Sequence, residues 1–346
     1  MVRNKFFKYF IIIVSILAPI VSFYLWQIFY TANLNTEKDR DFYLLIPSKS
    51  ARFETVIDSL KANKMVNNEM YFRFLSKVLK YPDHVKPGRY RIKPSAGNYE
   101  VIKALRSGNQ TAVKLTFNNV RLKQDLVEKI GTRFEFDSTE FKRMLNDPEV
   151  CRFYGFTPET ILCMFLPNTY EVYWNTTPQK LMGRMKSEYD KFWTDDRKAK
   201  AKAVGLSPVE VITLASIVEA ETKKKDEKPR VAGVYLNRLA ISEPLRADPT
   251  VIYAIGDFGI KRLLHNQLLY KSPYNTYINT GLPPGPINLP EPSSIDAVLN
   301  REKHDYLYFC ASPKLNGYHI FAVTYEDHLR NAKLYQEALN QLGIKK

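Results

Sequence analysis

The longest apolar run of the chain lies near its N-terminus. Residues 9–30 read YFIIIVSILAPIVSFYLWQIFY, without a charged side chain, and about 20 such residues span a bilayer as a helix. Arg3, Lys5 and Lys8 precede the run without any acid, which predicts a cytoplasmic tail at 1–8. A cleaved signal peptide is the alternative, but its core is typically shorter, about 7–15 residues, and no convincing small-x-small site follows. The pattern favours a single-pass anchor, with everything after residue 31 outside the cytoplasm.

Beyond a polar linker (31–40), the hydrophobic spacing alternates between strand and helix periods. FYLLI (42–46) and PGRYRI (87–92) predict strands, and two stretches between them follow helical spacing. NYEVIKALRSG predicts a further helix that ends at Gly108. The result is a small strand–helix–helix–strand unit with one extra helix, at 41–108. No catalytic cluster is apparent in it, so we expect it to bind a ligand or to act as a spacer.

Helix starts become clearer in the second half of the chain. Within 109–206, a strand (TAVKLTF) precedes helices, and LPNTYEVYW (166–174) is aromatic and turn-like. A capping box with proline at the first helical position stands at 207–210, and its helix continues through VITLASIVEAET. Asp248 before a proline predicts the cap of a short helix that stops at Gly256.

A long aperiodic segment and a hairpin follow. SPYNTYINTGLPPGPINLP (272–290) is rich in Pro and Gly, and its Tyr and Asn content favours a functional loop over a disordered one. YLYFC (306–310) and HIFAV (319–323), joined through an Asn-Gly pair, predict a β-hairpin. A last helix is predicted to end at Gly343. The fold class is α+β.

Two acids, Glu219 and Glu221, end the helix that contains LASIVEAETKK. At about 100° per residue they point to nearly opposite sides of the helix, so they do not act as a pair on one substrate. Glu219 ends a face of small and apolar residues, where desolvation would raise the pKa of its carboxyl and suit a general acid. Glu221 looks ordinary, with two lysines nearby at helical spacing.

Each candidate acid has a structural alternative. For Glu219 it is an ion pair with Arg230, Arg238 or Arg246, which periodicity alone slightly favours. Asp248 is a candidate second acid, although its position before a proline makes it a helix cap first. The sequence by itself leaves both choices open.

The composition shows a strong positive charge but few residues whose spacing indicates a chemical function. The net charge of +15 calls for an anionic partner. No basic run, zinc-finger spacing or RNA-binding signature is present, so a membrane surface or an acidic polymer is favoured over nucleic acid. Cys151, Cys163 and Cys310 fit no metal spacing and are interpreted as buried free thiols, a Cys151–Cys163 disulfide being the alternative. The histidines show no ligand spacing, although His319 beside the hairpin is a candidate for lining a site. We predict no metal and no cofactor.

Seven motifs resemble, in order along the chain, those of the endolytic murein transglycosylases (the MltG or YceG-like family): SIVEAET, NRL, ADPTVIYAIG, SPYNTY, GLPPGPI, YLYF and GYHIF. The resemblance is strongest from about residue 207 to 330. Over 41–108 it rests on layout alone, and there the family carries a LysM-like subdomain. Arg246 stands where many relatives have glutamine, a departure that bears on local substrate contacts. Asn300-Arg301 stands where they have Asn-Pro, outside the neighbourhood of the acid, and matters less.

The resemblance implies a bitopic lytic transglycosylase, anchored in the cytoplasmic (inner) membrane with its catalytic domain extracytoplasmic, that is, periplasmic. Such an enzyme cleaves the MurNAc–GlcNAc β-1,4 bond of nascent glycan strands without water and limits strand elongation. The muramyl C6 hydroxyl attacks its own anomeric carbon and leaves a 1,6-anhydro end, so one acid suffices. By carry-over the acid is Glu219 of SIVE. The implied substrate-binding residues are Asp248, Tyr274, Asn275, Thr276 and Tyr277.

The predicted organisation is an α+β chain with a transmembrane helix at 9–30, a LysM-like module at 41–108, an intermediate α/β region at 109–206 and a catalytic domain at 207–346. Expected partners are peptidoglycan glycan strands and the cytoplasmic membrane, with peptidoglycan synthases as further candidates and no nucleic acid. Two alternatives remain. One is a hydrolytic glycosidase that uses Asp248 as its second carboxylate, and the other is a non-catalytic, membrane-anchored glycan-binding scaffold.

Overall fold

The structure, a computed structural model, describes residues 2–34 and 40–341. The predicted helix end at Gly343 and residues 35–39 of the predicted linker lie outside this range. The helices are α1 (Val2–Tyr30), α2 (Phe53–Ala62), α3 (Glu69–Val78), α4 (Asn98–Ser107), α5 (Lys123–Ile130), α6 (Ser138–Met144), α7 (Pro148–Phe153), α8 (Pro178–Phe192), α9 (Asp195–Ala203), α10 (Pro208–Glu221), α11 (Lys228–Ala240), α12 (Asp248–Ile255), α13 (His265–Leu268), α14 (Pro292–Leu299) and α15 (Tyr325–Gln341). The strands are β1 (Phe42–Ile46), β2 (Gly88–Ile92), β3 (Val113–Thr116), β4 (Thr169–Val172), β5 (Tyr308–Ala311) and β6 (His319–Ala322).

Helix α1 contains the apolar run predicted as a membrane anchor. Its segment Lys5–Tyr30 has 26 residues with a mean hydropathy of 2.2, and none of its apolar stretch is buried in the protein. A helix satisfies all of its backbone hydrogen bonds internally, and for this reason it can cross a bilayer. Pro19 lies inside the helix without ending it. The length and composition of α1 are therefore compatible with a single-pass anchor.

The described chain divides into two compact units. The first comprises residues up to 114 with 132–136 and 171–177, and the second comprises 115–131, 137–170 and the residues from 178 onward. In the first unit β1 pairs antiparallel with β2, from Phe42 opposite Ile92 to Ile46 opposite Gly88. Helices α2, α3 and α4 cover the sheet and share one apolar core with it. The predicted strand–helix–helix–strand arrangement with an extra helix is confirmed.

Helix α10 is the buried centre of the second unit. Every residue from Val211 to Val218 is buried, as expected for a helix that is apolar on all sides. The predicted capping box is confirmed, because Glu210 Oε2 accepts from the Ser207 amide at 2.7 Å and Ser207 Oγ accepts from the Glu210 amide at 3.3 Å. Helices α11, α12 and α14 pack around it. The end of α10, where the two acids stand, is thereby held from several sides.

Other predictions have mixed outcomes. The hairpin is confirmed, with β5 and β6 antiparallel and Ala311 opposite His319, and 272–290 contains no helix or strand. The prediction of Asp248 as a helix cap is wrong, because the cap of α12 is Ala247 and Asp248 is the first helical residue. The turn-like prediction for 166–174 missed β4, whose alternating burial has the period of a strand.

The three cysteines are free. Cys151 and Cys163 are buried, and Cys310 is partly buried. The interpretation as free thiols is confirmed, and the alternative Cys151–Cys163 disulfide is not formed.

Candidate functional site

A cavity of about 380 Å³ lies in the second unit, where the end of α10 meets α11, α12, the β5–β6 hairpin and α15. Its lining is polar and aromatic, with carboxylates, arginines, tyrosines and histidines together. The residues that line it are Glu221, Tyr235, Arg238, Leu245, Arg246, Asp248, Tyr277, Tyr308, Phe309, Cys310, Ala311, His319, Tyr325 and His328. We refer to it as the hairpin cavity. A polar cleft of this kind, with several titratable groups converging on it, is a candidate active site.

Glu221, the last residue of α10, contributes the first carboxyl of the hairpin cavity. Burial raises its pKa to about 7, and the negative charge of Asp248 acts in the same direction. A hydrogen bond from the Tyr235 hydroxyl to Oε1, at 2.7 Å, and the charge of Arg238 oppose this shift without cancelling it. A carboxyl with a pKa near 7 is about half protonated at neutral pH, so it can both give and take a proton.

Asp248 contributes the second carboxyl. The Tyr277 hydroxyl donates a hydrogen bond to its Oδ1 at 2.5 Å. Burial, and then the adjacent carboxylate of Asp248, raise the pKa of Tyr277, so the phenol stays protonated and keeps donating. Asp248 thus presents a hydrogen-bonded carboxyl to the same cavity as Glu221.

His319 enters the hairpin cavity with its orientation fixed from behind. The buried carboxylate of Glu227 accepts from the His319 backbone amide at 2.7 Å and contacts ring atom Nδ1 at 2.8 Å. The Thr222 hydroxyl donates to the same carboxylate at 2.9 Å. The other ring nitrogen, Nε2, has no hydrogen bond within the described residues. His319 lines the hairpin cavity, and its part in a functional site stays a prediction.

Aromatic side chains form one wall of the hairpin cavity. The ring of His328 stacks on Tyr308 with centroids 5.5 Å apart and on Tyr325 with centroids 6.0 Å apart. Burial lowers the pKa of His328, which keeps the ring neutral. Such a wall offers a flat apolar face with polar edges, a surface suited to a ring-shaped polar substrate.

Glu219 lies apart from this cavity. Its Oε2 accepts from Lys228 Nζ at 2.7 Å and from the Ser294 hydroxyl, and Lys228 also donates to Ser294 at 2.8 Å. The Lys228 side chain is only 4% exposed and that of Glu219 is 18% exposed. Glu219 therefore joins the start of α11 to α14. The interpretation that Glu219 forms a structural ion pair is confirmed, but its partner is Lys228, at the start of α11.

The three arginines considered as partners of Glu219 have other contacts. Arg230 pairs with Glu302 at 3.0 Å, and Arg246 lies 3.6 Å from a carboxylate three residues before it. Arg238 donates to the backbone carbonyls of Leu245 and Leu307 at 2.7 and 2.6 Å. The proposed pairing with these residues is wrong, because each guanidinium is satisfied within its own neighbourhood.

Asn275 and Thr276 organise the loop from inside. Asn275 is fully buried, and its side-chain amide donates to the carbonyls of Leu268 and Tyr270 at 2.9 and 2.8 Å. Its Oδ1 accepts from the Tyr277 amide at 2.8 Å. These bonds set the direction of Tyr277, the one residue of YNTY that lines the hairpin cavity within the described chain.

Thr276 and Tyr274 also face the protein interior. The Thr276 hydroxyl accepts from the Ala247 amide at 3.0 Å and bonds the Thr250 hydroxyl at 2.8 Å, which ties the loop to the start of α12. The ring of Tyr274 packs against Tyr253, with centroids 4.8 Å apart. Of the residues named from sequence, Asp248 and Tyr277 are brought together at the hairpin cavity, and the others support them from behind or lie elsewhere.

The sequence did not identify Glu221, Tyr235 or Arg238 as residues of the site. A signal for Glu221 was present, since Leu214 and Ile217 lie seven and four positions before it on the same helix face. The desolvation argument applied to Glu219 therefore holds equally for Glu221. No comparable signal exists for the tyrosine that bonds it, because Tyr235 belongs to the next helix.

Comparisons with known proteins agree with this architecture. The endolytic murein transglycosylase of Bacillus subtilis (strain 168) is 40% identical over 149 residues, covering 43% of this chain and 41% of that protein. The protein of the same name from Streptococcus pneumoniae serotype 2 is 35% identical over 169 residues, covering 48% of this chain and 30% of that protein. The chain thus matches less than half the length of either curated relative.

A solved structure and a family model extend the match. The crystal structure of a YceG-like protein from Listeria monocytogenes aligns with a TM-score of 0.55 at 27% identity, covering 84% of this chain and 98% of that one. A sequence model of the YceG-like family matches residues 46–334, from the end of β1 into α15. A match of that extent, over most of the chain and both compact units, means that this protein belongs to the YceG-like family.

Proposed function

We propose that this protein is a membrane-anchored lytic transglycosylase of peptidoglycan. It cuts nascent glycan strands internally at the MurNAc–GlcNAc β-1,4 bond, without water, and leaves 1,6-anhydroMurNAc ends, which limits strand elongation. Two relatives bear the name endolytic murein transglycosylase. The observation that carries the proposal is a carboxyl with a pKa of about 7, Glu221, in a polar and aromatic cavity.

We assign the catalytic acid to Glu221 in place of Glu219. The resemblance alone pointed to Glu219, but that carboxylate is engaged by Lys228 and Ser294 and does not line the hairpin cavity within the described chain. Glu221 lines the hairpin cavity and has the raised pKa that a general acid needs. Asp248 and Tyr277 stay in the proposed site, and Asn275, Thr276 and Tyr274 support it.

The proposed reaction needs one proton carrier. Glu221 donates its proton to the glycosidic oxygen as the bond from that oxygen to the muramyl anomeric carbon breaks. The C6 hydroxyl of the same sugar then attacks that carbon, and the Glu221 carboxylate takes the hydroxyl proton. The atoms balance without water, and the acid is restored. We assign to Asp248, which lines the same cavity as Glu221, the role of stabilising the positive charge that develops on the sugar ring.

A hydrolytic glycosidase is the second candidate, and one observation favours it. Asp248 and Glu221 line the same cavity, so a second carboxylate is available to activate water or to attack the sugar. A hydrolase would leave reducing ends in place of anhydro ends. The chemical nature of the new end therefore decides between the two reactions.

The test is mass spectrometry of uncrosslinked glycan strands digested by the full chain in detergent. We expect anhydro-terminated products from wild type and a loss of about 10²–10⁴-fold in rate for Glu221→Gln, the usual contribution of general acid–base catalysis. Glu219→Gln, with its fold checked by circular dichroism, is the comparison and should keep most of the activity.

Three other outcomes would contradict parts of the proposal. Reducing ends would support the hydrolase and make Asp248 the next target. Loss of activity in a folded Glu219→Gln variant, with Glu221→Gln active, would restore the assignment drawn from the resemblance. Binding of strands without cleavage by wild type, unchanged in both variants, would favour a glycan-binding scaffold.

The remaining organisation is proposed from the same family relationship. We infer that α1 crosses the cytoplasmic membrane with its N-terminus inside and that both compact units are extracytoplasmic. The unit at 41–108 is proposed to be LysM-like, supported by the β1–α2–α3–β2 order and the antiparallel pairing of its strands. Boundaries near residues 108 and 206, and contact with peptidoglycan synthases, belong to the same proposal.

A further inference from the structure

A second cavity, of about 400 Å³, lies in the first unit, far along the sequence from the proposed catalytic residues. Lys86, Lys103, Arg106 and His84 line it together with the apolar side chains of Leu79 and Tyr99. None of the described residues that line it is acidic. We call it the basic cavity. An apolar wall with a cationic rim suits a ligand that is itself part apolar and part anionic.

The basic cavity is attached directly to the end of α1. The ring of Tyr99, which lines the cavity, stacks on Phe29 with centroids 6.3 Å apart and planes at 28°. One residue earlier, the Asn98 amide donates to the carbonyl of Ile28 at 3.0 Å. The start of α4 is therefore in direct contact with the last turn of α1.

This attachment sets the depth of the cavity relative to a bilayer. The 22 uncharged residues from Tyr9 to Tyr30 extend about 33 Å as a helix, close to the ~30 Å of a hydrocarbon core. The last turn of α1, with Trp26 and Tyr30, then lies at the interface that such rings favour. Tyr99 is at the same level, and Arg106 is seven residues further along α4, about 10 Å by helical rise.

Among the residues that the structure describes, the cations of the cavity have no acidic partner. Lys86 donates to the carbonyl of Ser107 at 3.1 Å, and Lys103 lies 5.8 Å from the centre of the Tyr99 ring. Within the described residues, Lys86, Lys103 and Arg106 form no salt bridge. Lys103 and Arg106 are exposed. Positive charges gathered without a counter-charge at this depth attract the phosphates of an anionic leaflet.

We propose that the basic cavity binds the headgroup of an anionic phospholipid. The phosphate meets Lys103 and Arg106, and the Tyr99 and Leu79 surface packs against the glycerol and the start of the acyl chains. The inference rests on the membrane anchoring proposed above but on no catalytic residue. Its occupant is a membrane lipid and not a free phosphate, because the cavity adjoins the end of α1.

The test compares two charge-matched double variants of the full chain in detergent. Lys103→Gln/Arg106→Gln removes two cations of the cavity, and Lys49→Gln/Lys114→Gln removes two exposed lysines elsewhere in the same unit. Native mass spectrometry measures the affinities for phosphatidylglycerol and phosphatidylcholine. A basic residue near an anionic surface changes binding about fivefold, so the first variant should lose about 25-fold in phosphatidylglycerol preference and the second should keep it.

Three outcomes would contradict the proposed lipid site. Equal losses in both double variants would show a general charge effect and overturn the site, as would a wild type without preference between the two lipids. Competition by soluble glycerol phosphate at the same concentration as the lipid would show a free-anion site in its place. Strand cleavage in detergent should be unchanged in both variants, so a failure here is distinguishable from a failure of the transglycosylase assignment.

Discussion

At the scale of single residues, Glu221 and Glu219 show how burial and hydrogen-bonding or ion-pair partners determine the role of a carboxyl group. The two acids were expected on opposite sides of one helix, and they do have separate environments. The periodicity of α10 could predict that separation. It could not predict which side opens onto a cavity, because Tyr235, Asp248 and Lys228 come from other segments. The helix face is a local property, whereas the site depends on tertiary contacts.

The raised pKa of Glu221 predicts how activity depends on pH. Because the acid must carry a proton to start the reaction, kcat/KM should fall as pH rises through about 7. A pH series of strand cleavage from 5 to 9 measures this. A flat profile over that range would exclude Glu221 as the titrating acid.

Folding stability gives an independent measure of the same carboxyl. Its pKa is raised from 4.5 to about 7 in the folded protein. The stabilisation of the protonated form is present below about pH 4.5 and is lost as pH rises through 7. Glu221→Gln should therefore become more stable relative to wild type between these values, as measured by thermal denaturation at each pH.

His319 gives a further prediction. With Nδ1 and the backbone amide facing Glu227, the free Nε2 is available to a substrate hydroxyl. His319→Asn keeps an amide near Nδ1 but has nothing at Nε2, so we expect about a tenfold fall in kcat/KM, near the value of one hydrogen bond. His319→Gln, which extends an amide toward Nε2, should recover part of it. Full activity in the folded Asn variant would mean that His319 makes no substrate contact.

At the scale of elements, capping residues and hydrophobic periodicity predict most of the helices and strands from the sequence. The capping box of α10 and the period of β1 depend on adjacent residues, which a sequence displays directly. Asp248 was misread because a short acid before proline resembles a cap, while its carboxyl is in fact bonded by a distant tyrosine. The short strand β4 was hidden among aromatic residues that also occur in turns. Local sequence patterns miss the features that depend on a contact with a residue distant in the sequence.

The contact between Lys228, Glu219 and Ser294 should stabilise the packing of α10, α11 and α14. Lys228→Met would leave the carboxylate of Glu219 without its ion-pair partner in a largely buried place, and we expect a loss of about 3 kcal/mol in the free energy of unfolding. The double variant Glu219→Gln/Lys228→Met removes both charges and should recover a substantial part. Chemical denaturation of the two variants measures this. A loss in the double variant as large as in the single one would contradict the ion-pair explanation.

At the scale of the whole molecule, the junction between α1 and α4 has a mechanical consequence. The 22 uncharged residues from Tyr9 to Tyr30 extend about 33 Å as a helix, slightly more than a hydrocarbon core of ~30 Å, so the proposed anchor would fit with a modest tilt. Because Asn98 and Tyr99 bond the first unit to the last turn of this helix, the unit turns with it. A thicker bilayer would reduce the tilt of the proposed anchor from the bilayer normal, and a thinner one would increase it. The first unit would rotate by the same angle. Under the proposed anchoring, membrane thickness would therefore set the orientation of the first unit relative to the membrane, and a change in lipid composition would alter it.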